Sequence, residues 1–63
     1  MHKQFLRIDD LTSALGLSKS TIYSLINTGD FPRQIRLSRR VVGWSAQEIE
    51  DWVETRRDRY RVN

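Results

Sequence analysis

Residues 18–29, Ser18-Lys19-Ser20-Thr21-Ile22-Tyr23-Ser24-Leu25-Ile26-Asn27-Thr28-Gly29, read as one short helix with two different faces. Ser18 suits the N-cap, because its hydroxyl can accept a hydrogen bond from a backbone N–H that lacks a partner inside the helix. Gly29 suits the position after the C-cap, where only glycine turns left-handed without a steric penalty. Ile22, Leu25 and Ile26 recur at helical spacing and define an apolar stripe. The opposite face carries Lys19, Ser20, Tyr23, Ser24 and Asn27, a set of donors and acceptors with one cation and no acid. Such a face fits a DNA major groove, where base edges and phosphates both take hydrogen bonds. An ordinary amphipathic helix with a solvated polar face would look the same, so the flanking sequence has to decide.

Upstream, Phe5 to Ile8 is an apolar lead-in expected to pack on the core. Asp9 is the expected N-cap of a first helix, with Asp10 complementing the helix dipole and Ile8 acting as a hydrophobic staple. Leu11, Ala14 and Leu15 form its expected apolar side, and Gly16 ends it. Only Gly16-Leu17-Ser18 separates the two helices, with Leu17 expected to turn inward. Two short helices across so brief a glycine-started turn make a helix-turn-helix signal, in which the second helix presents its polar face outward.

Downstream, Pro32 cannot continue the helix, and Phe31 is expected to plug the core beneath the turn. Gln34–Leu37 and Val41–Trp44 read as two strands, with Ile35 and Leu37, then Val42 and Trp44, pointing inward by alternation. Ser38-Arg39-Arg40 joins them, which gives a β-hairpin tipped by two guanidinium groups. Arginine matches phosphate geometry and the negative potential of a narrow minor groove. Charged residues on an edge hairpin also discourage edge-to-edge association. Directly after a helix-turn-helix, a basic hairpin reads better as a wing. Ser45 and Glu48 form an expected capping box for a last helix. Ile49, Trp52, Val53 and the stem of Arg56 line its inner side, Trp44 and Trp52 are core anchors, and Glu48, Glu50, Asp51 and Glu54 face elsewhere. The tail Arg56-Arg57-Asp58-Arg59-Tyr60-Arg61 extends that helix and then frays.

Composition bounds the chemistry. At 63 residues the chain is expected to be a single domain, residues 1–63, near the lower size limit for folding without staples. It has no cysteine, so no disulfide or thiolate metal site is available, and 38% apolar residues can supply a small core. No apolar run could span a bilayer or form a signal-peptide core, which points to a cytoplasmic protein without a membrane partner. Eleven Lys and Arg against eight acids give a formal charge of +3. Arg33, Arg36, Arg39 and Arg40 fall in one stretch and Arg56, Arg57, Arg59 and Arg61 in another, with the acids between. That polarity favours a polyanion on one side. An enzyme is not expected: His2 stands alone, and the carboxylates lie on one helical face without a base. No cofactor or metal is expected.

The run from Leu17 to Pro32, followed by Val42-Gly43-Trp44 and Glu48-Ile49-Glu50-Asp51-Trp52, resembles the AlpA-type phage and prophage regulators over roughly residues 5 to 56. The resemblance implies a fold similar to MerR-type winged helices and phage excisionases. The implied fold class is α+β, mostly α: a small winged helix-turn-helix with a two-stranded wing and a C-terminal helix. It also implies a small DNA-binding protein that regulates transcription from a mobile element or directs its excision by an integrase. By position, Lys19, Ser20, Thr21, Tyr23 and Ser24 would serve the recognition helix, and Arg36, Arg39 and Arg40 the wing. The family often has a basic residue where Ser24 stands and glycine where Ser38 stands.

The expected ligand is therefore double-stranded DNA, with Asn27 adding to the helix face and Arg33 to the phosphate contacts. Neutralising about four to six phosphates would give a slope of log K against log salt of about −4 to −5. A domain this small offers a contact area of about 600 to 1,000 Å². Hence the expectation is a monomer in solution that assembles cooperatively on repeated sites, with an integrase or recombinase as a further partner. The competing reading is a protein-interaction adaptor or anti-repressor that docks an integrase or repressor without reading DNA itself.

Overall fold

The computed structural model describes residues 4–60; His2 and Arg61 lie outside them. In chain order the elements are β1 (Phe5–Leu6), α1 (Ile8–Leu15), α2 (Lys19–Asn27), β2 (Ile35–Arg36), β3 (Val42–Ser45) and α3 (Ala46–Arg59). Three helices and a three-stranded antiparallel sheet of order β1-β3-β2 make a mostly helical α+β fold, consistent with a small helix-turn-helix with a wing.

α1 starts two residues earlier than its acids suggest. Its N-cap is Arg7, whose backbone N–H donates to Asp10 Oδ2 at 2.9 Å. Asp9 therefore lies in the first turn and Ile8 is the first helical residue, not a staple before the cap. From that start, Ile8, Leu11 and Leu15 form the inward stripe, and Ala14 turns to solvent. Gly16, at φ 70°, closes the helix with its N–H on the Thr12 carbonyl.

α2 is capped as its sequence asks. Ser18 Oγ accepts from the Thr21 N–H at 3.1 Å, and the Thr21 hydroxyl lies 2.9 Å from the same oxygen. At the other end Gly29 adopts φ 81°. The Gly29 N–H donates to the Ile26 carbonyl at 3.1 Å and the Asp30 N–H to the Leu25 carbonyl at 2.8 Å, the paired bonds of a Schellman motif.

β3 is the central strand. Phe5 and Leu6 oppose Ser45 and Trp44, while Ile35 and Arg36 oppose Gly43 and Val42. The lead-in is thus a third strand. Gly43 makes room for it: a Cβ there would meet the Leu6 carbonyl oxygen and lie 2.6 Å from Phe5 Cε2. For this reason Gly43 and Trp44 are both buried, in place of the expected alternation. β2 ends at Arg36, so Leu37, expected to point inward, is 61% exposed.

Leu11, Ile22, Phe31, Trp44 and Ile49 form the buried core, with Leu6, Ile8, Leu15, Leu17, Leu25, Ile26 and Trp52 packed around it. One half of the expected capping box starts α3: the Glu48 N–H donates to Ser45 Oγ at 3.3 Å. Among the described residues no return bond from the Glu48 carboxylate forms, and Ser45 belongs to β3 opposite Phe5. Ile49, Trp52 and Arg56 face inward at helical spacing, which leaves Val53 off the stripe and exposed.

Candidate nucleic-acid interface

About 100° of rotation per residue sorts the surface of α2. Ile22, Leu25 and Ile26 turn to the core. Ser20, Ser24 and Asn27, at i, i+4 and i+7, run along the opposite side, with Tyr23 beside them. Lys19 and Thr21 fall on the two flanks. All six are exposed. The Thr21 hydroxyl shares a hydrogen bond with the Ser18 hydroxyl of the cap, which takes up part of its capacity. Lys19 Nζ lies 3.3 Å from Asp9 Oδ1 on α1, so the one cation of this helix already has an acid beside it. Both partners are solvated, and an exposed pair of this kind is worth little.

The wing turn is tight. The Val41 N–H donates to the Ser38 carbonyl at 3.3 Å, and below it the Leu37 N–H donates to the Val41 carbonyl at 2.9 Å. Arg39 and Arg40 thus occupy the two corners. Among the described residues no residue other than glycine has positive φ, so Ser38 makes this turn without the glycine common there. Arg36 Nη1 donates to the Arg39 carbonyl at 2.9 Å and braces the turn from beneath. A guanidinium has five N–H donors, which leaves most of Arg36 available. Arg33, Arg39 and Arg40 are exposed and, among the described residues, form no ion pair.

The distribution of acids sharpens the picture. Between Asp10 and Glu48 the chain carries a single acid, Asp30. That carboxylate accepts from the Thr28 hydroxyl at 3.1 Å and lies 3.8 Å from Arg56 Nη2. The α2 face and the wing therefore present polar groups and cations with little opposing charge. Glu48, Glu50, Asp51 and Glu54 lie on the exposed side of α3. Among the described residues, no group of three or more His, Cys, Asp or Glu is placed to hold a metal, and no helix is long and apolar enough to cross a membrane.

Arg56 has an engagement that no local motif in the sequence announces. Its Nη2 donates to the Asp30 carbonyl at 2.6 Å, 26 residues away, where Trp52 Nε1 also donates at 2.7 Å. The nearest signal was the arginine one helical turn after Trp52.

Residues 4–57 match the family described as "Prophage CP4-57 regulatory protein (AlpA)". The chain is also similar to "Uncharacterized protein ORF88" of Enterobacteria phage P4, with 41% identity over 54 residues. That alignment covers 86% of this chain and 61% of the phage protein, so the chain spans about three fifths of that relative's length. The match runs from β1 to within α3, and the chain belongs to the AlpA family of prophage regulatory proteins.

Proposed function

We propose that the chain is a sequence-specific double-stranded DNA-binding protein of a phage or mobile element, acting as excisionase, transcriptional regulator or both. α2 enters the major groove, with Ser20, Tyr23, Ser24 and Asn27 toward base edges and Lys19 and Thr21 toward the flanking strands. The turn bearing Arg39 and Arg40 lies on the adjacent backbone or minor groove, and Arg33 and Arg36 reach phosphates. Arginine forks hold phosphate oxygens in pairs, whereas short hydroxyl and amide groups discriminate base edges. Phosphate contacts then fix register while α2 reads sequence. The observation that carries this reading is the run between Asp10 and Glu48, where the only acid is held by Arg56. Membership of a regulatory family supports it.

A single small module makes few groove contacts, so monomers assemble cooperatively on repeated sites, alongside an integrase where excision is the outcome. The acidic outer side of α3 favours a second reading, an adaptor or anti-repressor that docks a basic protein surface without touching DNA. The two are separated by selecting binding sites for the purified protein from random duplexes. The first reading expects enrichment of one motif and, by gel shift, stepwise cooperative occupancy of repeats. Failure to enrich any motif, with binding no tighter to the selected pool than to the starting pool, would reject it.

A further inference from the structure

The short link from α2 to the wing is gripped by side chains at successive residues. The Asp30 carbonyl accepts from both Trp52 Nε1 and Arg56 Nη2 of α3. Two residues on, the Pro32 carbonyl accepts from Trp44 Nε1 of β3 at 2.8 Å. Between them the Phe31 ring meets the Trp52 ring edge-on at 4.7 Å. The Arg56 guanidinium lies 5.0 Å from the centre of the Trp52 ring and 5.5 Å from that of Tyr60. The Arg56 side chain is only 23% exposed, against 69% for Arg57 one residue on.

Asp30 is also the residue whose N–H ends α2 through the Leu25 carbonyl. Its two backbone polar groups thus point to different elements, the N–H into α2 and the C=O into α3. A residue whose two flanking peptides are both held is a fixed corner, and the donors on its carbonyl include a cation, which makes a short, strong bond. We propose that Arg56, with Trp52, is a positioning residue that fixes the recognition helix relative to the wing. Two DNA-contacting elements reinforce one another only when their spacing is set before binding; otherwise the second must be ordered at the cost of affinity. Arg56 therefore acts on DNA through geometry, without touching phosphate. This rests on the DNA-binding reading above.

The test is a double-mutant cycle combined with a measurement on the free protein. Trp52→Phe keeps the ring against Phe31 and removes the N–H; Arg56→Met keeps the stem and removes the donors. In the wild-type background, Arg39→Ala with Arg40→Ala should weaken binding to a selected duplex about 100-fold. In the Trp52→Phe/Arg56→Met background the same wing change should cost less than about 10-fold, because the wing is no longer held in register. Arg56→Lys, which retains a cationic donor, should restore most of the coupling. An additive cycle, with about 100-fold loss in both backgrounds, would mean that Arg56 is only structural and would overturn the proposal. Residual dipolar couplings of the free protein should show α2 losing its single orientation relative to the sheet in the double variant. An unchanged orientation would also overturn the proposal. If the double variant does not fold, Trp52→Phe and Arg56→Met are read singly by the same two measurements. If wild-type protein binds no duplex, the DNA reading fails, and the couplings alone decide whether the clamp sets the angle.

Discussion

Arg39 and Arg40 stand at the corners of an exposed turn and, among the described residues, pair with no acid, whereas Arg56 and Arg57 are both engaged. Arg56 grips the Asp30 carbonyl, and Arg57 Nη2 lies 2.6 Å from Glu54 Oε2 one turn earlier on α3. The two clusters hold the same side chain at similar density. What separates them is the supply of partners nearby. No acid lies between Phe31 and Gln47, while α3 alternates acids with its arginines. On the proposed reading, arginine density by itself does not mark a polyanion site; density without nearby acids on an exposed turn does.

Four variants test that contrast. The largest effect is expected from Arg39→Ala with Arg40→Ala: about 100-fold weaker duplex binding, roughly 2.7 kcal/mol, by fluorescence anisotropy. Stability to urea should stay within about 0.5 kcal/mol, because neither side chain is packed. Arg56→Ala should act chiefly on stability, costing about 2 kcal/mol through the lost charge-assisted bond and the stacking on Trp52. In a chain of this size that is a fall in Tm of about 8–16 °C, read by circular dichroism. Arg36→Ala removes the brace on the Arg39 carbonyl, and about 1 kcal/mol, or five- to tenfold, should be lost in duplex affinity with the fold intact. Smallest of all, Arg57→Ala should change stability by less than about 0.5 kcal/mol, since its pair with Glu54 is exposed. It should leave duplex affinity unchanged. A large loss of DNA binding in Arg57→Ala would place the C-terminal cluster at the interface and undo the contrast.

Much of the helix-turn-helix was legible because its signals are local. Ser18 and Gly29 bracket α2 by hydrogen bonds that span a few residues, and Ile22 and Phe31 announce burial by spacing and by position after a stop. The hairpin and its arginine tip followed from a break between two apolar runs. Strand β1 was not legible, since two residues carry no periodicity. Its only trace is Gly43, whose missing Cβ admits Phe5. α1 starts before Asp9 because Asp10 caps the Arg7 N–H from inside the helix, a role the sequence assigns equally well to Asp9 at the boundary. Leu37 and Val53 looked inward only if β2 were longer and the α3 stripe wider than they are. Helical spacing after Trp52 places the stem of Arg56 inward but says nothing of its partner, a backbone carbonyl on a distant link. The pairing of Lys19 with Asp9 was hidden for the same reason: it depends on how α1 crosses α2.

That pairing bears on the central claim, which divides the interface between a wing that supplies affinity and a helix that supplies discrimination. The most direct test is the salt dependence of duplex binding for the wild-type protein and for Arg39→Ala/Arg40→Ala, measured on one selected site and on single-base variants of it. The account predicts a slope of log K against log salt near −4 for wild type and near −2 for the variant, with the ranking of the base variants preserved. Equal slopes for the two proteins, or a variant that loses the ranking while keeping its slope, would contradict it.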